Sequence, residues 1–142
     1  MLLVEDDPND CLLMEHVFSR SAPHITLHTV RDGMEAQDYL TGKGVFANRG
    51  QYPLPSLILL DLKLPRKTGL EVLKWMRAQP GLQSIRVIIL TSSQENRDID
   101  QAYQLGANSF IVKSVNLRDL SRMAEGIEGY ATLLRTDYPK TF

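Results

Sequence analysis

Apolar residues in this chain fall into short unbroken runs, and the stretches between the runs carry helical spacing. The clearest run is Leu57-Ile58-Leu59-Leu60, which ends in Asp61. A continuous apolar run of this length marks a strand buried on both faces. Pro55 and Pro65 bracket it, and neither fits inside a central strand. Met1–Val4 and Val87–Leu90 have the same character, and Phe110–Val112 is a shorter version. Ile25, Leu27 and Val30 alternate and predict a weaker second strand. Helices are predicted from Pro8 to about Ser21, with Cys11, Leu12, Val17 and Phe18 inward, and from Asp32 at the cap to about Leu40. Three more are predicted: Gly69–Gln79, roughly Glu95–Leu105 after a Thr91-Ser92-Ser93 cap, and Leu117 to about Leu134. Thr41–Pro55 is punctuated by glycine and proline and exceeds a usual connection, so it is either a functional loop or a mobile one.

Strands and helices alternate five times. That pattern requires a parallel sheet covered on both faces, an α/β fold of the doubly wound (βα)5 kind. The first, third and fourth strands are the most apolar and belong in the centre. The second is the least apolar and belongs at an edge. The order 2-1-3-4-5 satisfies both conditions; it is the flavodoxin-like order, with its switch point between strands one and three.

With 142 residues the chain suits one domain with one core. A formal net charge of -1 gives no bulk attraction to nucleic acid or to an acidic membrane surface, and neither is expected as a partner. Cys11 is the one cysteine, so no internal disulfide forms, which fits a cytoplasmic location. Its apolar helical setting reads as a small buried hydrophobe, not a reactive thiol. No apolar run approaches the roughly 20 residues that span a bilayer, and no signal-peptide pattern opens the chain. His16, His24 and His28 are scattered and read as surface or packing residues, and Trp75 as part-buried packing.

Chemistry enters where the strands end. Strand one ends in Glu5-Asp6-Asp7, strand three in Asp61, strand four in Thr91 and strand five in Lys113. In a parallel sheet all four ends share the edge where ligands bind. Clustered carboxylates repel, and a hard divalent cation such as Mg²⁺ relieves the repulsion while keeping water positions open to phosphate oxygens. Lys113 supplies a point charge for Asp61 or for a phosphoryl oxygen, and the Thr91 hydroxyl can donate to the same group. Together these residues describe phosphoryl transfer to a carboxylate nucleophile, Asp61.

These motifs are similar to those of bacterial response-regulator receiver domains, from Leu2 to about Tyr130. They are Leu3-Val4-Glu5-Asp6-Asp7, Leu59-Leu60-Asp61-Leu62-Lys63-Leu64-Pro65 with Gly69, Leu90-Thr91-Ser92, and Phe110-Ile111-Val112-Lys113. The loop Gly42–Pro55 and Val115-Asn116-Leu117 more narrowly resemble stand-alone receivers paired with phytochrome-type histidine kinases. The resemblance implies that Asp61 takes a phosphoryl group from a kinase phosphohistidine, and that the chain is a phosphoacceptor and not an enzyme with a separate substrate. It implies Mg²⁺ held by Asp6, Asp61 and the Lys63 carbonyl, with Glu5 acting through water and Asp7 peripheral. Thr91 and Phe110 would form the switch. Lys63 and Ser93 would tune hydrolysis of the phosphoaspartate; neither suits an attacking water, so a lifetime longer than seconds is expected.

One departure stands out. The family usually has a proline, joined by a cis bond, after its lysine, and here Ser114 follows Lys113. A cis bond costs ~3 kcal/mol or more before a non-proline residue, against ~1 or less before proline. Either the bond is trans and the loop is rearranged, or the site holds the strain.

Residues 1–134 read as the receiver and 135–142 as a tail, with no output segment expected. The signal would leave through a surface. Leu120, Met123, Ala124, Ile127, Ala131 and Leu134 form a stripe whose last turns would expose Leu133 or Leu134, which predicts a homodimer through the last helix and tail. Three rivals remain. An aspartate-based phosphohydrolase would carry a second acid two residues after Asp61, where Lys63 stands. A flavin module would not place Glu5-Asp6-Asp7 where a phosphate binds. A degenerate receiver acting only in protein interaction would not keep Asp6, Asp61, Thr91 and Lys113.

Overall fold

The computed structural model describes residues 1–91, 96–113 and 116–135. The strands are β1 (Leu2–Val4), β2 (His28–Val30), β3 (Leu57–Asp61), β4 (Arg86–Thr91) and β5 (Ser109–Val112). The helices are α1 (Pro8–Ser21), α2 (Gly33–Thr41), α3 (Gly69–Ala78), α4 (Asn96–Gln104) and α5 (Leu117–Arg135). All strands pair in parallel, in the order β2-β1-β3-β4-β5. The predicted architecture and order are therefore the observed ones, and the least apolar strand lies at an edge.

Alternation along each strand divides the core into two layers. Leu2, Val4, Ile58, Leu60, Val87 and Ile89 face α2, α3 and Ala102 of α4. Leu3, Leu57, Leu59, Ile88 and Leu90 face α1 and α5, meeting Phe18, Leu120 and Ile127. The side chains from Leu57 to Leu60 are at most 1% exposed. Burying a leucine to that degree contributes roughly 1.5–3 kcal/mol, so β3 is the anchor of both layers.

Local chemistry sets the helix starts. Asp7 caps α1 by accepting from the Asn9 and Asp10 amides at 2.8 and 3.4 Å, with Pro8 in the first turn. Asp32 caps α2 by accepting from the Glu35 amide at 2.7 Å. Thr68 caps α3 through the Glu71 amide at 3.2 Å.

Some expectations need correction. Leu12 is 64% exposed instead of inward; Met14 takes the buried place beside Val17 and Phe18. The helical period carries residue 12 past the apolar arc that Cys11, Met14 and Phe18 define. β2 is shorter than its alternation suggests: Ile25 and Leu27 precede it and pack as half-buried side chains around the second layer. Thr91 closes β4 itself. Ser92 and Ser93, Ser114 and its bond to Lys113, the side chains of Ala131, Leu133 and Leu134, and the tail beyond residue 135 lie outside the described residues.

Residues 42–55 are a loop held by packing. A single 3-10 turn, Gly44–Phe46, places Phe46 with its ring centroid 5.1 Å from Tyr39, and Tyr52 packs edge-on to Phe46 at 5.2 Å. His28 joins at 5.9 Å from Tyr39 and 5.8 Å from Tyr52, which makes it a packing residue. The Arg49 guanidinium donates to the Tyr39, Leu40 and Tyr52 carbonyls at 2.7, 2.9 and 3.1 Å. It thereby satisfies the last carbonyls of α2, which have no partner within the helix. This cluster sits at the amino ends of the strands, because it joins the start of β2 to the approach to β3.

Candidate functional site at the carboxyl ends of the strands

Register brings the predicted residues together. Val4 pairs with Leu60, so Glu5 follows β1 level with Asp61 at the end of β3. Thr91 pairs with Val112, and Lys113 comes directly after it, its amide on the Thr91 carbonyl at 2.7 Å. Glu5, Asp61 and Thr91 are buried, and Asp6 is exposed at the mouth.

Lys113 is the centre of the charge network. Its Nζ lies 2.7 Å from Glu5 Oε2, 2.8 Å from Asp61 Oδ2 and 3.5 Å from Asp10 Oδ2. The contact to Asp61 is a directed hydrogen bond, whereas Glu5 Oε2 is buried without hydrogen-bond alignment and meets the ammonium as an ion pair. The other oxygen of Asp61, Oδ1, accepts from the Lys63 amide at 2.9 Å. The Asp61 carboxylate is thus gripped on both sides, by a backbone donor and by a cation.

The electrostatics follow from burial. Burial pushes the Glu5 carboxyl up to about 7, with Lys113 opposing the rise and the neighbouring Asp61 adding to it. Burial alone would lower Lys113, but its pairing with the Asp61 and Glu5 carboxylates outweighs that and raises it. The lysine is therefore cationic throughout the physiological range. Cys11 lies behind the site with its Sγ 3.3 Å from the Glu5 carbonyl, and burial pushes its thiol up to about 11. It is a packing residue with no thiolate at neutral pH.

The donor set suits a hard divalent cation. Glu5, Asp6 and Asp61 each offer a carboxylate oxygen, and these atoms lie within 4.8 Å of one another. When all are ionised, Glu5, Asp6, Asp61 and Asp10 outnumber the single Lys113 ammonium, and a dication offsets most of the excess. Oxygen ligands alone point to Mg²⁺ or Mn²⁺ in preference to a soft metal.

Two further predicted residues, Lys63 and Phe110, lie at the edge of this core, and Ser93 is outside the described residues. Lys63 is exposed and meets Asp61 through its amide. Phe110 is 37% exposed and faces Tyr103 of α4 edge-on at 6.2 Å. Asp10 was not anticipated. Its place in the first turn of the helix that follows Glu5-Asp6 is the signal that could have found it, since that turn overhangs the strand ends.

Known proteins share this fold. The response regulator receiver domain family model matches residues 1–125. Response regulator Rcp1 of Synechocystis sp. (strain ATCC 27184 / PCC 6803 / Kazusa) is 41% identical over 130 residues, covering 92% of this chain and 86% of the relative. The crystal structure of the phosphorylated cyanobacterial phytochrome response regulator RcpA superposes with a TM-score of 0.83 at 41% identity, covering 95% of this chain and 94% of that one. The Mn²⁺-bound form of response regulator Rcp1 superposes with a TM-score of 0.79 at 40% identity, covering 97% and 96%.

Proposed function

The chain belongs to the response regulator receiver family, a phosphoacceptor family of phosphorelay signalling, and from that premise we propose that Asp61 is its acceptor. One observation carries the assignment: Lys113 stands between two buried carboxylates at the switch point, 2.7 Å from Glu5 and 2.8 Å from Asp61. A charge-balanced acceptor at the carboxyl end of the central strand fits phosphoryl transfer and little else.

The chemistry follows from these contacts. An Asp61 carboxylate oxygen attacks the phosphorus of a kinase phosphohistidine. The new P–O bond forms as the P–N bond breaks, and the imidazole leaves with the electron pair. Asp61 is pre-aimed by the Lys63 amide and by Lys113, so little reorganisation is needed. Lys113 can follow the charge onto a phosphoryl oxygen, and the Thr91 hydroxyl at the end of β4 can donate to another. Mg²⁺ is the dication proposed for Asp6, Asp61 and the Lys63 carbonyl, with Glu5 acting through water; when bound it neutralises charge on the transferring group. Phe110 at the β5 edge and Thr91 form the proposed switch, and Lys63 and Ser93 the hydrolysis-tuning pair.

The partner is a histidine kinase, and likeness to the phytochrome regulators supports a phytochrome-type one. The chain acts as acceptor only, with residues 1–134 as the receiver. A homodimer through the last helix and tail is part of the proposal, on the apolar stripe that continues to Ala131 and Leu134 in the sequence. A cytoplasmic place is supported by the single cysteine, and the lack of a membrane or nucleic-acid partner by the near-neutral charge. Among the described residues no helix is long and apolar enough to cross a membrane.

Incubation with a small phosphodonor and Mg²⁺, read by intact mass, tests the central assignment. A phosphate-sized gain that vanishes in Asp61→Asn supports it. An unchanged wild-type mass overturns it.

A further inference from the structure

The loop that leaves Asp61 is fastened at its crest. It runs through residues 62–68, from β3 to α3. At its root the Lys63 amide donates to Asp61 Oδ1 at 2.9 Å, and the Gly69 amide closes the loop on the Leu62 carbonyl at 3.0 Å. Gly69 has no substitute, because a Cβ there would lie 2.2 Å from the Asp61 carbonyl oxygen.

At the crest Arg66 takes a φ of +66°, and no other non-glycine among the described residues has a positive φ. That left-handed conformation is disfavoured for a residue with a Cβ. The Lys67 amide closes the turn around Arg66 on the Pro65 carbonyl at 2.8 Å, and the Arg66 side chain is tethered by Asp32, 34 residues away in sequence, whose Oδ2 meets Arg66 Nη2 at 2.5 Å. Asp32 is buried, and its other oxygen is committed to the Glu35 amide at the start of α2. The next residue makes a second contact. A Cβ on Gly33 would fall 2.4 Å from both the Lys67 side chain and its carbonyl, so the turn backbone lies directly against the loop. Two adjacent residues of the β2–α2 turn thus grip two adjacent residues of the acceptor loop.

We propose that Arg66 and Asp32 form a positioning pair for the acceptor: the tether fixes the loop crest so that its root presents the Lys63 amide to Asp61. The inference rests on reading Asp61 as the acceptor. Global stability is a poor account of the pair. The Arg66 side chain is 69% exposed, where ion pairs contribute little, and its backbone strain opposes what the pair contributes. What remains is geometry, fixed at the loop that aims the reacting carboxylate.

Arg66→Gly and Asp32→Asn separate the roles. Glycine removes the cation together with the strain, and asparagine keeps an acceptor for the Glu35 amide. Each variant and the double variant would be compared with wild type in Mg²⁺ affinity by calorimetry, in phosphoryl uptake from a small donor, and in urea midpoint. Partners that orient a ligand's own ligands typically alter affinity by about tenfold. Each single variant is therefore expected to weaken Mg²⁺ binding and slow uptake by about that factor, with the double variant no worse and the Arg66→Gly midpoint unchanged. Variants that match wild type, effects that add in the double variant, or a loss that tracks a lower urea midpoint would each overturn the pair while Asp61 stands. A wild type that takes up no phosphoryl group overturns the acceptor reading, and the pair with it.

Discussion

Arg49 and Lys113 are cations at opposite ends of the same parallel strands, and they answer to different acceptors. Arg49, at the amino ends, donates to the carbonyls of Tyr39, Leu40 and Tyr52 and lies 5.9 Å from the centre of the Tyr39 ring. Lys113, at the carboxyl ends, meets the carboxylates of Glu5, Asp61 and Asp10. Backbone carbonyls are neutral and bound to the fold, and nothing in solution replaces them. Carboxylates beside a solvent mouth are exchangeable partners for a metal or a phosphoryl group. The planar fork of arginine suits the fixed arrangement, and the compact ammonium of lysine suits the exchangeable one. One end of the sheet is built for permanence and the other for reaction.

The sharpest way to separate the two ends is Asp61→Asn. Phosphoryl uptake is expected to disappear altogether by intact mass. The urea midpoint should stay level or rise, because a buried carboxylate is removed from beside Glu5. Next in size is Lys113→Met, which should slow uptake by about 100-fold, a loss of ~3 kcal/mol in barrier terms, and make stability depend more strongly on added Mg²⁺. A melting temperature in Lys113→Met that Mg²⁺ does not restore would blur the contrast. Arg49→Ala should show the converse. Leaving the Leu40 and Tyr52 carbonyls without their donor, with the Gly42 amide still on Tyr39, should cost ~2–3 kcal/mol by urea unfolding, at roughly 1 kcal/mol or more each, with uptake by the folded protein unchanged. A large loss of uptake in folded Arg49→Ala would join the two ends into one unit.

The smallest effect is on pH. Burial and the nearby chain amino group lower the pKa of His28 below its ordinary value. The folded state therefore prefers the neutral ring. Stability is fully present above the ordinary histidine value of about 6.5, and is lost as pH falls through that value toward the lower folded one. His28→Gln should flatten the urea midpoint across that interval. Equal slopes in the two proteins would show that the ring is not held neutral by the cluster.

The two ends also differ in how far the sequence reveals them. The site is legible because its residues follow apolar runs: Glu5 after Val4, Asp61 after Leu60, Lys113 after Val112. Once the strand order is known, the strand ends converge without further information. The amino end is opaque. His28, Tyr39, Phe46 and Tyr52 have no shared period, and Arg49 in a glycine-rich stretch looks like any exposed cation. Their meaning exists only after folding brings β2, α2 and the loop together. The Asp32–Arg66 contact fails for the same reason. Asp32 reads as a helix cap, and the cap is real, but its second oxygen is spent across 34 residues. Leu12 shows the limit of local patterning in the other direction, since an apolar residue in a helix need not face the core.

Cys11 has a practical consequence for anyone who wishes to watch this molecule work. It is 2% exposed, its thiol stays protonated at neutral pH, and it is the one cysteine in the chain. The native protein is therefore a nearly blank background for thiol chemistry. A cysteine introduced at Val45, which is 75% exposed on the loop far from Asp61, would take up a maleimide dye alone. Fluorophore attachment at a single chosen point then requires no prior removal of a native thiol, and leaves the packing behind Glu5 untouched.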